Sequence, residues 1–486
     1  MIIYPYNLEE IMKKIFRNIF IAAAFLAATS SCESLVSGEE FDPNQPADAP
    51  ANLILPAAEL ANAMFHESDV ARLAGMWSGY FTGADRQYVG LNNYVASAAD
   101  FDATWGIAYQ GVMQQTSLVI AKAEGINDRA TAGVAKIVQA NTMGSVTSLW
   151  GDVPFSQAAQ SDVYPNPEYD AQADVYAALQ ALLDEAIADI EAQGAAASIY
   201  NTGNWVEVAY TLKARYFMHV GDYASAYAAA QKGISDVANN LMVDHGDNIN
   251  VNTNVFWTFL EWERAGYMTA DNAYAVSLLN GADAMYRGNA KTDEGARLNY
   301  LYSDEQWYSD EWEPNSHPSF WGGKGNGFFD IATSFPLVTM HENVLILAEA
   351  ASRNNDFTAA LGHLNDYRAY MNAGGYIHAD YHAEGLMYEA YDAADFQAGG
   401  MAAVAGFTAE ESLLQEIMEE RYLAFVGQVE GFNDLRRTAD DKVGVKPTPV
   451  TGAELPKRFI YSQDEVNSNE NTPEPLGVFE ATPVNQ

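Results

Sequence analysis

The chain has 486 residues, about half of them apolar, enough for a large hydrophobic core, and its 65 acidic against 25 basic side chains give a formal net charge of −40. That charge repels polyanions and so excludes nucleic acid and anionic lipid as partners. The single cysteine, Cys32, excludes disulfides, a cysteine-based zinc site and an iron–sulfur cluster.

In chain order the first element is a leader. Lys13, Lys14 and Arg17 precede an apolar run, Ile19 to Ala28, that is too short to span a bilayer and ends in small residues. Glu9 and Glu10 stand where a signal peptide wants basic charge, so translation is expected to start at Met12, and residues 1–31 are read as signal peptide. Ser30 and Ser31 before Cys32 match a bacterial lipobox, although Thr29 replaces the expected aliphatic residue. Acyl chains on Cys32 would anchor the mature protein to a membrane. Residues 33–50 are polar, contain proline and lack hydrophobic periodicity; as a tether they would reach about 60 Å when extended.

Residues 51–486 are read as a single, mainly α domain. Val175, Leu179, Leu182, Leu183, Ala186 and Ile190 form one stripe at 3.6 residues per turn, the signature of a helix packed on other helices. Two predicted hairpins, Trp205 to His219 with Tyr223 to Ile234 and Leu337 to Ser352 with Phe357 to Met371, share a turn: Gly221-Asp222-Tyr223 with Ala226 repeats as Asn355-Asp356-Phe357 with Ala360. A small residue that admits the neighbouring helix is the tetratricopeptide device. Between the hairpins, from about 244 to 336, periodicity fails and Asn, Gly, Pro, Trp and Tyr accumulate, so this loop-rich insertion is the expected functional region.

Two segments mix aromatic rings with polar side chains, the combination that binds sugars: C–H faces stack on rings while hydroxyls need amides, carboxylates or guanidinium groups at the rim. From Trp77 to Asn93 the candidates are Trp77, Tyr80 and Tyr88, with Asp85 and Arg86 as rim; from Tyr300 to Phe329 they are Trp307, Trp312 and Trp321, with Asn315 and Asn326. No metal or cofactor is expected. His378 and His382 have helical zinc-site spacing but lack the adjacent glutamate base and sit among glycines, and Asp244 to Asn248 lacks the terminal glutamate of a calcium loop.

Further motifs carry a resemblance. Trp150-Gly151-Asp152-Val153-Pro154-Phe155, then Pro336 to Met340 leading to Ala348-Glu349-Ala350, then Glu420-Arg421-Tyr422 and Glu430-Gly431-Phe432-Asn433-Asp434-Leu435-Arg436-Arg437, then Pro456 to Tyr461, resemble in this order the SusD/RagB outer-membrane lipoproteins. The resemblance implies a tetratricopeptide-like helical scaffold with an irregular ligand-binding subdomain. It also implies surface exposure on the outer membrane, a SusC-like TonB-dependent transporter as partner, and structural roles for these motifs, with Arg421 and Arg436 pairing buried carboxylates such as Glu420 or Asp434. The function expected is non-enzymatic capture of an oligosaccharide. The chain's own negative charge makes a neutral glucan or fructan the expected class. Capture of peptides by a RagB-like subunit, a surface glycoside hydrolase and a scaffold for protein assembly remain alternatives.

Overall fold

Three turns of one construction set the helical scaffold. In each, a residue in the left-handed region (Asn127, φ 59°; Gly221, φ 74°; Asn355, φ 64°) precedes an aspartate whose side chain caps the next helix by accepting from the N–H of Thr131, Ser225 or Ala359. The aspartate N–H reaches back five residues in every case, to the carbonyls of Ala123, Phe217 and Ala351, the closing bond of a Schellman turn. Four residues after each aspartate stands a fully buried alanine, Ala132, Ala226 or Ala360. The first turn belongs to the same device although Arg129 replaces its aromatic residue.

The computed structural model describes residues 49–249, 251–474 and 476–485, with positions 9, 12 and 13. Apart from those positions the expected leader, Cys32 and the tether up to residue 48 lie outside the described residues. Among the described residues no helix is long and apolar enough to cross a membrane.

The unit Ala51–Gln486 is mainly helical. Its principal helices are α1 (Ala51–Glu67), α2 (Asp69–Trp77), α3 (Gln114–Gly125), α4 (Arg129–Trp150), α5 (Gln172–Gln193), α6 (Trp205–His219), α7 (Tyr223–Ala230), α8 (Met340–Arg353), α9 (Phe357–Asn372), α10 (Ala409–Ala424) and α11 (Val429–Arg437). Neighbours pack successively, α3 on α4, α4 on α5, α5 on α6, α6 on α7, α7 on α8 and α8 on α9. Helix α4 lies at the centre, buried from Thr131 to Trp150. A Cβ on its Gly144 would fall 2.2 Å from the Tyr216 ring of α6, so only glycine allows that approach. Leu337 and Val338, expected to open α8, instead belong to the strand Phe335–Val338, which pairs antiparallel with Leu241–Val243. Thr339 then caps α8 by accepting from Glu342 N–H.

The recognised motifs are structural joints. Trp150 Nε1 donates to the carbonyl of Ile460, Phe459 N–H donates to that of Leu149, and Asp152 caps the start of α5 at Gln172 N–H, so the segment around Pro456 to Tyr461 closes over the end of α4. Arg421 pairs with Asp434 at 2.8 Å and with Glu349 at 3.1 Å. The expectation for Arg436 is corrected: it bonds Asn433 Oδ1 and the carbonyls of Ser148 and Lys457, and its neighbour Arg437 takes the carboxylates of Glu349 and Asp434.

The irregular insertion contributes short helices and strands of two-stranded ribbons: Tyr302–Ser303 pairs with Glu313–Pro314 inside it, and Thr292–Asp293 ties it to Met387–Tyr388 beyond α9. A buried ion cluster anchors it to the scaffold. Arg287 and Arg297 come from the insertion and Arg368 from α9; they meet Glu294 of the insertion and Glu416 and Glu420 of α10. Loops built on such an anchor can be irregular and still ordered.

Candidate functional site

The insertion presents large exposed rings at two joined places. Trp257 ends a short helix, Val255–Trp257, that continues as a π-helix, Thr258–Glu263, a local geometry frequent at functional sites. This element buries Phe259 and Glu261 and turns Trp262 outward, 51% exposed. Facing it, the segment 307–321 exposes Trp307 (40%), Tyr308 (41%), Phe320 (58%) and Trp321 (37%). Two tryptophans of this segment lie on buried rings: Trp321 on Trp257, with centroids 5.5 Å apart, and Trp307 on the His317 imidazole, at 4.3 Å and 27°.

His317 joins the two segments. It is 1% exposed, its Nε2 lies 2.6 Å from Glu313 Oε2, and its Nδ1 lies 2.9 Å from Glu261 Oε1, an ion-pair distance whose angle falls short of a hydrogen bond. Glu261 also accepts from Ser316 Oγ at 2.6 Å and from Tyr308 Oη at 3.4 Å, and Glu313 accepts the N–H groups of Tyr308 and Ser309. Burial works against an imidazolium here, but Glu261 and Glu313 outweigh it and lift His317 to about 9. The result is a cation beneath the Trp307 face, held flat by two carboxylates.

A raised histidine contributes stability that is complete below its ordinary value near 6.5 and is lost as pH rises through about 9. Asp330 faces the same cluster, and burial pushes its carboxyl up against the pull of the Ile331 and Asn326 N–H groups. Affinity at this surface is therefore expected to hold between about pH 6 and 8 and to fall above about 9. Ligand titration across that range checks it. A flat profile to pH 10 in a protein that stays folded would remove His317 from the support of Trp307.

The rim continues to a second edge. Gly266 (φ 76°) brings the chain against Tyr308, where a Cβ would sit 3.7 Å from that side chain. Tyr267 follows, with the guanidinium groups of Arg86 and Arg264 each 5.9 Å from its ring centre. Asp85 and Arg86 are exposed, and Ala84 N–H donates to the carbonyl of Tyr267 at 2.8 Å, so this polar pair borders the aromatic surface. Asn326 is exposed but committed, its Nδ2 donating to Asp380 at 2.8 Å.

Several expected ring and rim positions are corrected. Trp77 and Tyr80 are fully buried and Tyr88 is 5% exposed. Trp77 packs edge-on against Phe432 and Phe459 and donates Nε1 to the carbonyl of Leu91; Tyr80 donates to the carbonyl of Tyr422; Tyr88 receives Arg72 Nε at 3.0 Å. Asn315 is interior, donating to Asn299 and Tyr381. Trp312 is half-buried against the core, its N–H held by Asp271. His378 caps the 3-10 turn Ala379–Glu384 and His382 contacts the carbonyl of Ile377, so neither stands on an α-helix. His245, in the polar turn after residue 244, pairs instead with the buried Glu67 of α1 at 2.8 Å. Trp262 and Tyr267 escaped the sequence reading; their signal was an aromatic, charged run, Trp262-Glu263-Arg264, inside the insertion.

The comparisons agree with this architecture. A family model described as SusD-like, starch-binding and associating with the outer membrane, matches residues 43–462. A solved SusD/RagB family protein from Bacteroides thetaiotaomicron is 21% identical with a TM-score of 0.62, covering 87% of this chain and 95% of its own. A SusD homolog from Bacteroides uniformis is 16% identical with a TM-score of 0.66, covering 90% and 100%. A chitin-binding SusD homolog from Flavobacterium johnsoniae is 17% identical with a TM-score of 0.62, covering 90% and 97%. At these identities the likeness is one of fold. No curated protein matches the chain.

Proposed function

The chain belongs to the SusD-like family, and on that premise we propose that it is a non-enzymatic cell-surface receptor that binds a neutral oligosaccharide and delivers it to a SusC-like TonB-dependent transporter. The observation that carries this reading is the exposed set of rings Trp262, Trp307, Tyr308, Phe320 and Trp321, of which Trp307 and Trp321 rest on buried rings. Flat rings held in place at no further ordering cost suit the C–H faces of sugars. The exposed acids around them, Glu263, Asp304, Glu305, Asp310 and Glu311, repel sulfated and uronic chains and favour a neutral glucan or fructan. Glu261 and Glu313, the buried carboxylates nearest the rings, are both occupied by His317, which supports binding rather than glycoside hydrolysis.

Calorimetric titration with neutral oligosaccharides, acidic oligosaccharides and peptides tests the reading: neutral glycans are expected to bind without turnover. Peptides binding more tightly than any glycan, or products accumulating, would overturn it. Delivery to a transporter requires anchorage, for which Cys32 is the proposed acylation site. Cys32→Ala is expected to move the protein from the membrane fraction to the soluble fraction, and retention of that variant in the membrane would assign anchorage elsewhere.

A further inference from the structure

A cavity of about 410 Å³ opens beneath the segment 439–457 and shares no residue with the aromatic surface. Its apolar lining comes from Trp77, Phe432 and Leu435 on one side and from Val445, Pro447 and Leu455 of the segment on the other. The volume and the mostly apolar wall are those of small-molecule sites, which take orientation from a few placed polar groups.

The polar groups here are unusual for this chain. Besides Asp440 and the Lys457–Glu454 ion pair at 2.8 Å, the cavity is lined by Arg436 and Lys446. Arg436 is 6% exposed, and its Nε–H has no acceptor once Nη1 and Nη2 have bonded two carbonyls and Asn433. Lys446 Nζ donates only to the carbonyls of Thr438 and Ala439. Among the described residues neither cation bonds a carboxylate, although the chain carries 65 acidic side chains and Arg215, Arg297, Arg421 and Arg437 all find one. Burial, with the charge of nearby Arg458 adding to it, holds the Arg436 guanidinium down at about 10. A buried guanidinium without a carboxylate partner is costly to keep, and an anion entering beside it would offset that cost.

We propose that this cavity is a second ligand site that takes a small aromatic carboxylic acid, its carboxylate toward Arg436 and Lys446 and its ring against the apolar lining. A neutral sugar would leave both cations without an anion and would meet too few hydrogen-bonding groups on these walls. An aliphatic acid would leave the flat apolar space unfilled.

The test is calorimetric titration of the full chain with 4-hydroxybenzoate, with 4-hydroxybenzamide and with acetate. The expected result is saturable one-site binding of 4-hydroxybenzoate, with the amide and acetate each at least about tenfold weaker. Arg436 also holds the backbone at Ser148 and Lys457, so its replacement would test folding as much as binding. Two other variants avoid this. Ala453→Trp, on the exposed stretch that lines the cavity, is expected to block the acid, and Lys446→Met to weaken it about tenfold, both leaving oligosaccharide binding unchanged. Absence of saturable 4-hydroxybenzoate binding, equal binding of the amide, or undiminished binding by Ala453→Trp would each overturn the assignment.

Discussion

Replacing Trp307 and Trp321 together by alanine is expected to weaken binding of a neutral oligosaccharide about a hundredfold, and either change alone about tenfold. Each ring offers one open face and rests on a separate support, His317 for Trp307 and Trp257 for Trp321. Truncation therefore removes a stacking surface without emptying the core. A sugar stacked on an ordered ring gains on the order of 1 to 2 kcal/mol, and about 1.4 kcal/mol is a factor of ten. With separate supports the two losses should nearly add. Trp77→Ala makes the contrast, because that ring is fully buried against Phe432 and Phe459. Its loss should cost about 3 to 5 kcal/mol of stability through the cavity it leaves. Titration and thermal melting on the three variants separate the roles, and a double variant that binds like the native chain would move the site away from the insertion.

The contrast between Trp77 and Trp321 also marks what could be read in the sequence. The scaffold was legible because helix packing writes a period: Val175, Leu179, Leu183, Ala186 and Ile190 of α5 are all buried, and the Asp222 and Asp356 caps stand where the repeated turn put them. The third copy, at Asn127-Asp128, was hidden because Arg129 occupies the aromatic position, although backbone geometry depends only on the left-handed residue and the cap. The first aromatic segment misled for a related reason. Trp77 ends α2 in phase with Val70, Leu73 and Ala74, so its period already placed it inside, and Tyr88 is buried with Asn92 on one side of the short helix Arg86–Asn92 while Arg86 and Gln87 stay exposed. In the stretch holding Trp307, Trp321 and Asn326, glycine, proline and serine leave little apolar volume to bury a ring, and the two tryptophans and the amide are exposed. Which aromatics gather was decided by His317, Glu261 and Glu313, whose meeting no local pattern announces.

Glu420→Gln is expected to lower the stability of the whole domain by about 3 to 5 kcal/mol and, with it, the affinity of a surface that Glu420 does not touch. The residue is fully buried on α10. Its Oε2 accepts both Nη1 and Nη2 of Arg297 at 2.9 Å, and its Oε1 accepts Nη1 of Arg287 at 3.0 Å, with Arg368 3.8 Å away. Burial alone would push this carboxyl up; Arg287, Arg297 and Arg368 override it and hold it down at about 2. A carboxyl depressed in this way contributes stability that is present above its unfolded value near 4.5 and is lost as pH falls through about 2. The glutamine variant keeps the shape but leaves three buried guanidinium groups one negative charge short, an imbalance that desolvation makes severe. Stability of folded domains is commonly only about 5 to 15 kcal/mol, so the melting temperature should fall by several degrees and the protective effect of pH above 4.5 should shrink. Glu419→Gln is the control, since Glu419 is partly exposed and makes one contact to Arg287 at 3.3 Å, and should change stability by no more than about 0.5 kcal/mol. Because Arg287 and Arg297 belong to the insertion, loosening their anchor loosens the frame that orders Trp307 and Trp321. A Glu420→Gln protein that melts and binds like the native chain would show that the insertion holds its rings without the ion cluster.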